Sequence, residues 1–482
     1  MYKIFDMFKG TFPQVMAAFF ATVGAISDGM QFGWSAPFLP ILQSEDSPIR
    51  ITDSDINWLE SVYMIGGLAG LPITIYMVDK IGRQKTVLFA SSSSFTAWVL
   101  IGIADNVNYL YVARFLTGLA ADVAFVAGPM YVAEIADQKI RGFLAGVIFL
   151  MMLGGFLILY GVAPFVPFYV CSIIGGIIVG IQLIGVPFMP DSPYFLLAKG
   201  NYEKARRHLQ KLRGYENVDK ELDAIAVAVE RQRTEKGGPQ DLFLSKSNRK
   251  AVIIMTVLNI AQHFSGMTVI LMNLHSILTA AGPVYVSSNV AGILFSSVML
   301  LAGTITVFTI DLLGRRILLA FSSFFTGLSL LAIAIFFTLQ KHGYAGPEVA
   351  WIPITAILVY AAVFKSGLGM IPIVMTAELF PAKVKAMGMA LADLIYLMAG
   401  LASIQLYQNL ARIYGIDVPF YIFAVATLAT AVFSLTFIPE TKGKTLEEIQ
   451  YILKGEELPS VNKNNVELHS SQKIGFQNQA YC

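Results

Sequence analysis

Five notable charged residues lie inside long apolar stretches of this 482-residue chain. A charged side chain at the centre of a bilayer costs about 2.5–3.5 kcal/mol on insertion scales, so each is expected to face a cavity or a partner. Buried groups of this kind either exchange protons or contact a charged or strongly polar solute. We therefore expect their chemistry to take place within a membrane. The five residues are Asp28, Arg114, Asp122, Lys365 and Asp393.

The segments that carry these charges are long enough to cross a membrane. Hydrophobic residues make up 56% of the chain and charged residues 14%, against about 45–50% and about 25% in soluble domains. Because a hydrocarbon core of about 30 Å requires about 20 apolar residues, the sequence predicts an all-α polytopic protein with twelve transmembrane helices. The predicted spans 1 to 12 cover 14–40, 56–78, 86–104, 109–132, 141–163, 166–189, 252–280, 287–310, 316–339, 351–377, 386–411 and 417–439.

The distribution of basic and aromatic residues predicts how these helices are oriented. With both termini in the cytoplasm, most lysine and arginine residues fall in cytoplasmic loops, as the positive-inside rule requires. The four tryptophans, Trp34, Trp58, Trp98 and Trp351, then lie toward the outer ends of their spans, where an aromatic belt is expected. We expect a multi-pass integral protein of the plasma membrane, surrounded by lipid.

One long polar break divides the spans into two sets of six. It contains EKARRHLQKLRG and KELDAIAVAVERQR, patterns typical of short amphipathic helices. The expected organisation is therefore a first six-helix bundle at 1–190, a cytoplasmic helical linker at 191–250, a second bundle at 251–440 and a cytoplasmic tail at 441–482.

A short charged motif occurs once in each half. Residues 79–85 are DKIGRQK after span 2, and residues 311–316 are DLLGRR after span 8. Duplicated six-helix units predict two pseudo-symmetric bundles that rock about a central site. The charged groups either latch the cytoplasmic side in the outward-facing state or only fix the topology of basic turns. The candidate latch residues are Asp79, Arg83, Glu134, Arg141, Asp311, Arg315, Glu378 and Lys385.

Several motifs, in order along the chain, resemble the major facilitator superfamily and specifically its sugar porter branch. They are DKIGRQK, YVAEIADQKIRG, MPDSPYFLLAKG, DLLGRR, TAELFPAKVKA and PETKGKTLEEI, and the resemblance covers roughly residues 12–450. The segment DINWLESVYMIGGLAG after a short outer loop is similar to insect facilitated trehalose transporters. The resemblance implies a carrier that binds a sugar between two bundles and works by alternating access.

The resemblance also implies where a sugar would bind, and this chain departs from the family there. Span 7 contains Gln262, His263 and Thr268 in QHFSGMT, where the family has QQLSGIN. A sugar site needs side chains that match the sugar hydroxyls, because each buried unmatched polar group costs about 1–3 kcal/mol. In spans 5, 8, 10 and 11 most of the hydrogen-bonding side chains that the family pattern implies are replaced. For His263 a substrate contact, a structural role and a pH-sensing role stay open. The other positions that correspond to sugar contacts are Phe149, Met299, Ile373 and Asp393.

The intramembrane charges allow two interpretations. Arg114 stands where proton-coupled relatives place an arginine that pairs with an acid, and Gln31 stands at the place of that acid. Asp28 lies one turn before Gln31, at a depth compatible with that of Arg114 given the 1.5 Å rise of a helix. Either Asp28 titrates against Arg114 and couples protons to transport, or the pair is structural. Lys365, with Asp122 or Asp393, either contacts a charged solute or fixes helix register.

Other function classes find no support in the sequence. The formal net charge of +2 provides no footprint for nucleic acid. Phosphate-binding loops, metal-spaced Cys and His clusters and nucleophile elbows are absent from the sequence, so an enzyme, a cofactor and a metal are not expected. We expect a secondary transporter that moves a hexose or a trehalose-like sugar by facilitated diffusion. The alternatives are a proton-coupled or charged-solute carrier and a non-transporting solute sensor.

Overall fold

The computed structural model describes most of the chain. The described residues are 11–45, 47, 49–234, 238, 240–282, 286–381, 383–444 and 446–456, without the side chains of Gln138, Gln232, Asp311, Pro347, Ala377, Leu446 and Glu447. The greater part of the tail expected at 441–482 therefore lies outside the described residues, as does the side chain of the candidate latch residue Asp311.

Across these ranges the chain is helical and contains no strand, which confirms the all-α membrane architecture. Eleven of the described helical segments are long and apolar enough to cross a membrane. They cover Phe12–Leu42, Asp53–Lys80, Val107–Ile135, Lys139–Phe165, Phe168–Phe188, Lys246–Ala280, Ser288–Ile310, Arg315–Lys341, Ile352–Thr376, Lys385–Tyr414 and Asp417–Thr436. These correspond to predicted spans 1, 2 and 4 to 12, and the span numbers are kept below.

The helix at the place of span 3, Arg83–Gly102, is less apolar than the other spans. It has 20 residues, and at a rise of 1.5 Å per residue it covers about 30 Å, the thickness of a hydrocarbon core. Four consecutive serines, at 91–94, lower its hydropathy. Ser91 and Ser94 are buried against neighbouring helices, so the polar face is directed into the protein.

Three of the spans are interrupted. Span 1 comprises Phe12–Thr22, Gly24–Phe32 and Ser35–Leu42. Span 7 is divided into Lys246–Phe264 and Met267–Ala280 by Gly266, whose φ of +75° is readily adopted only by glycine.

Span 10 is likewise divided, into Ile352–Ser366 and Ile371–Leu379. Such breaks free backbone groups from the helical ladder and are tolerated at membrane depth where protein or a water-filled cavity surrounds them. The breaks in spans 7 and 10 therefore mark the interior of the bundle.

Helices within the first half approach one another closely because glycines line their contacts. A Cβ atom on Gly29 of span 1 would lie 2.0 Å from the carbonyl oxygen of Met152 in span 5. A Cβ on Gly155 would lie 2.0 Å from the carbonyl oxygen of Ile26. Small residues on both helices thus allow the two backbones to touch, which fixes the wall that carries Asp28 and Phe149.

One face of the bundle carries both described chain ends, and we call it the terminal face. Short helices at Pro193–Ala198, Tyr202–Arg213, Asp219–Thr234 and Asp241–Leu244 lie there between the two halves of the chain. Arg213 donates to the carbonyl oxygen of Ile135 at 2.9 Å, which attaches these helices to the first half. Lys383 forms an ion pair with Asp241 at 3.0 Å on the second half. The other end of the bundle is called the opposite face.

Candidate functional site

A cavity of about 140 Å³ lies at the centre of the bundle between the two halves. Its lining comes from spans 1, 2, 4, 5 and 6 of the first half and from spans 7, 10 and 11 of the second. Along span 1 the lining begins at Ala21, and along span 4 it continues to Pro129. Both residues lie between mid-span and the terminal face, so the cavity extends toward that face.

Contacts between the halves close the bundle on the other side of the cavity. Gln405 donates to the side-chain oxygen of Asn57 at 2.9 Å and to Ser61 at 2.6 Å. Gln408 donates to the Glu60 carboxylate at 2.6 Å. These bonds join span 11 to span 2 near the opposite face. A molecule in the cavity therefore meets a closed wall in that direction.

A second closing contact joins span 5 to span 7. The hydroxyl of Tyr160 donates to the carbonyl oxygen of Leu271 at 2.6 Å. The Tyr160 ring also meets the His275 ring edge-on, with centroids 5.5 Å apart. Both rings are buried, so one hydrogen bond and one edge-on ring contact close this part of the bundle.

Four of the five intramembrane charges line the cavity. The first half supplies Asp28 and Asp122, and the second half supplies Lys365 and Asp393. None of the four takes part in an ion pair with another described residue. Charged groups that line a cavity without an ion-pair partner are available to a solute or to protons.

The Asp122 carboxyl connects the halves across the cavity. Its Oδ2 accepts a hydrogen bond from the Thr74 hydroxyl at 2.7 Å. Asp122 and Asp393 are within hydrogen-bonding contact of each other. The Oδ1 atom of Asp122 is buried and receives no donor from the described residues when both groups are ionised.

Lys365 is buried in the middle of span 10, with 4% of its surface exposed. Its Nζ atom lies 5.9 Å from the centre of the Phe364 ring. The described residues supply no hydrogen-bond acceptor to this ammonium group. A buried ammonium without an acceptor can donate to hydroxyl or carboxylate oxygens of a solute.

Arg114, in contrast, does not line the cavity. Its guanidinium group donates to the carbonyl oxygens of Gln31 at 2.6 Å and Leu59 at 3.2 Å. It also lies 4.5 Å from the centre of the Tyr63 ring. The expected ion pair with Asp28 is therefore not formed among the described contacts, because the arginine is turned toward backbone carbonyls of spans 1 and 2.

The residues predicted from the family pattern fall into two groups. Gln262, Phe149 and Ile373 line the cavity together with Asp393. Gln262 donates to the carbonyl oxygen of Leu368 at 3.0 Å, which ties span 7 to the break in span 10. Its Oε1 atom is buried without a partner among the described residues and can accept a hydrogen bond from a solute.

The other three predicted contacts lie behind the cavity wall. Nδ1 of His263 is 2.6 Å from the Thr268 hydroxyl, and its ring centroid is 4.2 Å from that of Tyr396. Both His263 and Thr268 are fully buried. Met299 is 2% exposed and packs in the apolar core. In this conformation these side chains support the wall rather than face the solute.

Aromatic residues that the sequence analysis did not single out form much of the lining. They are Phe32, Tyr63, Phe125, Phe156 and Tyr396. The two tyrosines bring hydroxyl groups and the three phenylalanines bring ring faces, which suit the two sides of a sugar ring. Aromatic residues are frequent in every span, so only the rotation of each helix about its axis distinguishes these five, and the sequence pattern gives no sharper signal.

Two arginine–glutamate pairs hold the terminal face. Arg83 and Glu134 are 2.7 Å apart, and Ser192 also donates to Glu134. Arg315 and Glu378 are 3.0 Å apart in the second half. Each pair joins helices of the same half, so neither connects the two halves across the terminal face in this conformation.

The second pair has further support from the end of span 12. Thr441 donates to Glu378 at 2.6 Å, and the backbone N–H of Arg315 donates to Glu440 at 2.9 Å. Burial alone would raise the pKa of Glu440, but backbone N–H groups, including those of Lys442 and Arg315, hold it below its ordinary value.

The remaining candidate latch residues take less part in these contacts. Asp79 is exposed, and Arg141 donates only to the carbonyl oxygen of Ala136 at 3.2 Å among the described bonds. Lys385 is half-buried, with Glu378 as a nearby opposite charge. The described residues contain no cluster of His, Cys, Asp and Glu that could hold a metal ion.

Comparison with known proteins identifies the family. Residues 17–453 match the family model described as "Sugar (and other) transporter". A facilitated trehalose transporter Tret1 of Bombyx mori is 27% identical over 457 residues, covering 91% of this chain and 86% of the relative. The human solute carrier family 2, facilitated glucose transporter member 6, is 28% identical and covers 90% of each chain. These relatives are transporters and not enzymes.

Solved structures show the same fold. The proton:xylose symporter XylE bound to 6-bromo-6-deoxy-D-glucose aligns with a TM-score of 0.73 at 20% identity, covering 91% of this chain and 99% of that chain. An inward open conformation of XylE from E. coli aligns with a TM-score of 0.74 at 20% identity, covering 90% and 98%. At this level of identity the likeness establishes the major facilitator fold.

Proposed function

Because this chain belongs to the sugar (and other) transporter family, we propose that it carries a sugar across the plasma membrane by facilitated diffusion. The observation that carries the proposal is the central cavity, which is lined by both halves and closed toward one face only. Relatives named as facilitated trehalose and glucose transporters support the choice of cargo.

Transport proceeds by alternating access in this proposal. Residues 1–190 and 251–440 act as the two rocking bodies, with 191–250 as the linker. The bonds from Gln405 and Gln408 to span 2 break, and the opposite face opens while the terminal face closes. The positive-inside rule supports a cytoplasmic terminal face, so the present conformation is open to the cytoplasm.

The sugar lies among the cavity residues. Carboxylates of Asp28 and Asp393 accept from its hydroxyls, and the Lys365 ammonium donates to them. The unpaired Oε1 of Gln262 accepts another hydroxyl. Phe149 and Ile373 cover apolar parts of the ring. Each polar group left unmatched costs about 1–3 kcal/mol, which supports selection of a polyhydroxyl solute.

Uptake into proteoliposomes tests this function. The labelled panel comprises glucose, fructose, trehalose, inositol, one organic cation and one organic anion, with and without an imposed proton gradient. Saturable uptake of a sugar is expected, and its absence for all four neutral solutes would contradict the proposal. Gln262→Leu is expected to reduce sugar affinity about tenfold through the lost acceptor, whereas Gln210→Leu, on a linker helix, leaves it unchanged.

A charged polar solute is the second candidate cargo. The observation in its favour is that Asp28, Asp122, Lys365 and Asp393 line one cavity without ion-pair partners among the described residues. Uptake of the organic ion with no competition by any sugar would select this candidate over the first.

A further inference from the structure

Asp122 and Asp393 come from different halves of the protein and meet at the cavity. Asp122 lies in span 4 and Asp393 in span 11, and their carboxyl groups are in hydrogen-bonding contact. The surrounding helices are also in contact, because a Cβ atom on Gly67 of span 2 would lie 2.8 Å from Leu397 of span 11. The two carboxyls are therefore held together by packing of the halves.

This contact requires a proton. Two carboxylates offer only acceptors, so a hydrogen bond between them forms only when one carries a proton. Thr74 occupies Oδ2 of Asp122, and Oδ1 is buried with no donor among the described residues. Asp122 is 7% exposed, so water contributes little, and a proton between the carboxyls supplies the bond that the protein leaves unmade.

We propose that Asp122 and Asp393 form a proton-binding site between the halves, and that a proton bound there favours the conformation open at the terminal face. With one proton shared, the pair carries a charge of −1. When the proton passes to water in the cavity, two carboxylates with a charge of −2 remain. Their repulsion destabilises the contact between the halves. The inference rests on the alternating-access carrier proposed above but not on the identity of its cargo.

Other polar groups face this pair from the neighbouring helices. Asp28 from span 1, Tyr63 from span 2, Lys365 from span 10 and Tyr396 from span 11 line the same cavity. Lys365 has no ion pair with either carboxyl among the described contacts, so it does not replace the proton. Asp28 is a further carboxyl of the cavity lining and forms no hydrogen bond with the pair among the described contacts.

The site differs from the acid–arginine pair expected from the sequence. Arg114 is engaged with carbonyl oxygens of spans 1 and 2, and both it and Asp28 belong to the first half. A proton exchanged there changes no contact between the halves directly. At Asp122 and Asp393 the proton itself connects the bodies that must move, so binding and conformation are linked.

Cysteine labelling tests the proposal without any sugar. Phe125 lines the cavity and is 43% exposed, so Phe125→Cys reports opening toward the terminal face in a Cys171→Ala/Cys482→Ser background. The protein is reconstituted in nanodiscs and labelled with a water-soluble thiosulfonate at about pH 5.5 and about pH 8.5. Rates are divided by those of Val227→Cys, on an exposed linker helix, to remove the pH dependence of the thiol.

Normalised labelling is expected to fall at least about threefold between the lower and the higher pH, as a population shift. Asp393→Asn removes this dependence and keeps labelling high, because the amide N–H donates to Asp122 at every pH. Asp122→Asn is expected to do the same. Asp28→Asn is the matched control, a cavity carboxylate without a cross-half partner among the described bonds, and keeps the dependence.

Two results would overturn the proton site. One is labelling of Phe125→Cys that does not change with pH when Asp122 and Asp393 are both present. The other is labelling that changes with pH to the same extent in the Asp393→Asn variant. Sugar uptake does not enter this measurement. Failure of the proton site therefore leaves facilitated sugar transport intact, and pH-dependent labelling without uptake of any sugar contradicts only the cargo.

Discussion

At the terminal face, arginine–carboxylate pairs join helices of the same half, whereas at the opposite face amides and a phenol join helices of different halves. Arg83 and Glu134 are 2.7 Å apart within the first half. Gln408 donates to Glu60 at 2.6 Å, and Tyr160 donates to Leu271 at 2.6 Å, between the halves. Charge is thus used where helices stay together, and neutral donors are used where they must separate.

The energies of the two kinds of contact explain the difference. Removing one partner of a buried ion pair costs about 3–5 kcal/mol, because a charge is left alone. A hydrogen bond from a neutral donor contributes less, about 0.5–1.5 kcal/mol to a carbonyl such as that of Leu271 and about 1.5–3 kcal/mol to a carboxylate such as that of Glu60. The arginine–carboxylate pairs therefore keep each half rigid. The hydrogen bonds between the halves can break and re-form during a transport cycle, because binding of a solute releases enough free energy to offset their loss.

The largest effect is expected from removal of a charge within one half. Arg83→Ala leaves Glu134, whose side chain is 14% exposed, without its cation, and we expect a loss of about 3 kcal/mol of stability. Thermal unfolding in detergent measures this loss. Lys85→Ala, at an exposed position of the same motif, is the control and is expected to change stability by less than about 0.5 kcal/mol.

A double substitution sharpens that result. Arg83→Ala with Glu134→Gln removes the lone charge and is expected to recover part of the loss. Equal unfolding temperatures for Arg83→Ala and Lys85→Ala would show that the pair does not hold the half together.

A smaller effect is expected from the bonds with neutral donors at the opposite face. Gln408→Leu leaves the fully buried Glu60 carboxylate without this donor. The cost of about 1–3 kcal/mol falls on the conformation closed at that face, so the population open at the terminal face is expected to drop about tenfold. Labelling of Phe125→Cys measures the drop.

Asn409→Leu is the matched control for this change. Asn409 is the next residue of span 11, is exposed, and donates only to a carbonyl oxygen of its own helix. Unchanged labelling in Gln408→Leu, or an equal drop in Asn409→Leu, would contradict the assignment of the closing contact.

Tyr160→Phe is expected to act in the same direction but less strongly. It removes one hydroxyl at 2.6 Å from the Leu271 carbonyl and retains the buried ring. The loss of about 1 kcal/mol corresponds to a roughly fivefold change in labelling of Phe125→Cys. Tyr169→Phe, on a ring that is 52% exposed, serves as the control. If Tyr169→Phe changed labelling more than Tyr160→Phe, the Tyr160 hydroxyl would not be the group that closes the opposite face.

The helices and the family could be predicted from the sequence because they depend on patterns of many residues. Apolar length alone placed the spans, and the repeated charged motifs indicated two related halves. The helix Arg83–Gly102 was also expected, although its serines reduce the hydropathy on which the prediction depends.

The site could be predicted only in part because it depends on the rotation of each helix about its axis. Depth in the membrane made Asp28 and Arg114 compatible, but rotation turned Arg114 toward the carbonyl oxygen of Gln31. His263 and Thr268 were expected to face the solute. They bond each other across the break in span 7 at Gly266. Local breaks and rotations leave little trace in one sequence.

The terminal face also contains a neutral hydrogen bond, and its loss is expected to have the smallest of these effects. The N–H of Asp191 donates to Nδ1 of His208 at 2.8 Å, which holds a linker helix to the end of span 6. Burial keeps the pKa of His208 below its ordinary value, although the nearby Asp191 carboxylate acts in the opposite direction. The neutral imidazole is thus the form that docks.

The pKa of His208 is lower when the linker helix is docked than in the unfolded chain, where it is about 6.5. The bond therefore stabilises the docked linker fully above about pH 6.5, and this stabilisation is lost as the pH falls below that value. Limited proteolysis of the linker is expected to quicken about twofold to threefold between about pH 7.5 and about pH 5.5. His208→Gln keeps an acceptor that does not titrate and is expected to remove this change, whereas His342→Gln, at an exposed turn, retains it. The same acceleration in His208→Gln would place the pH sensitivity elsewhere. Its loss would show that this neutral bond helps to hold the linker in place, in addition to the Lys383–Asp241 ion pair.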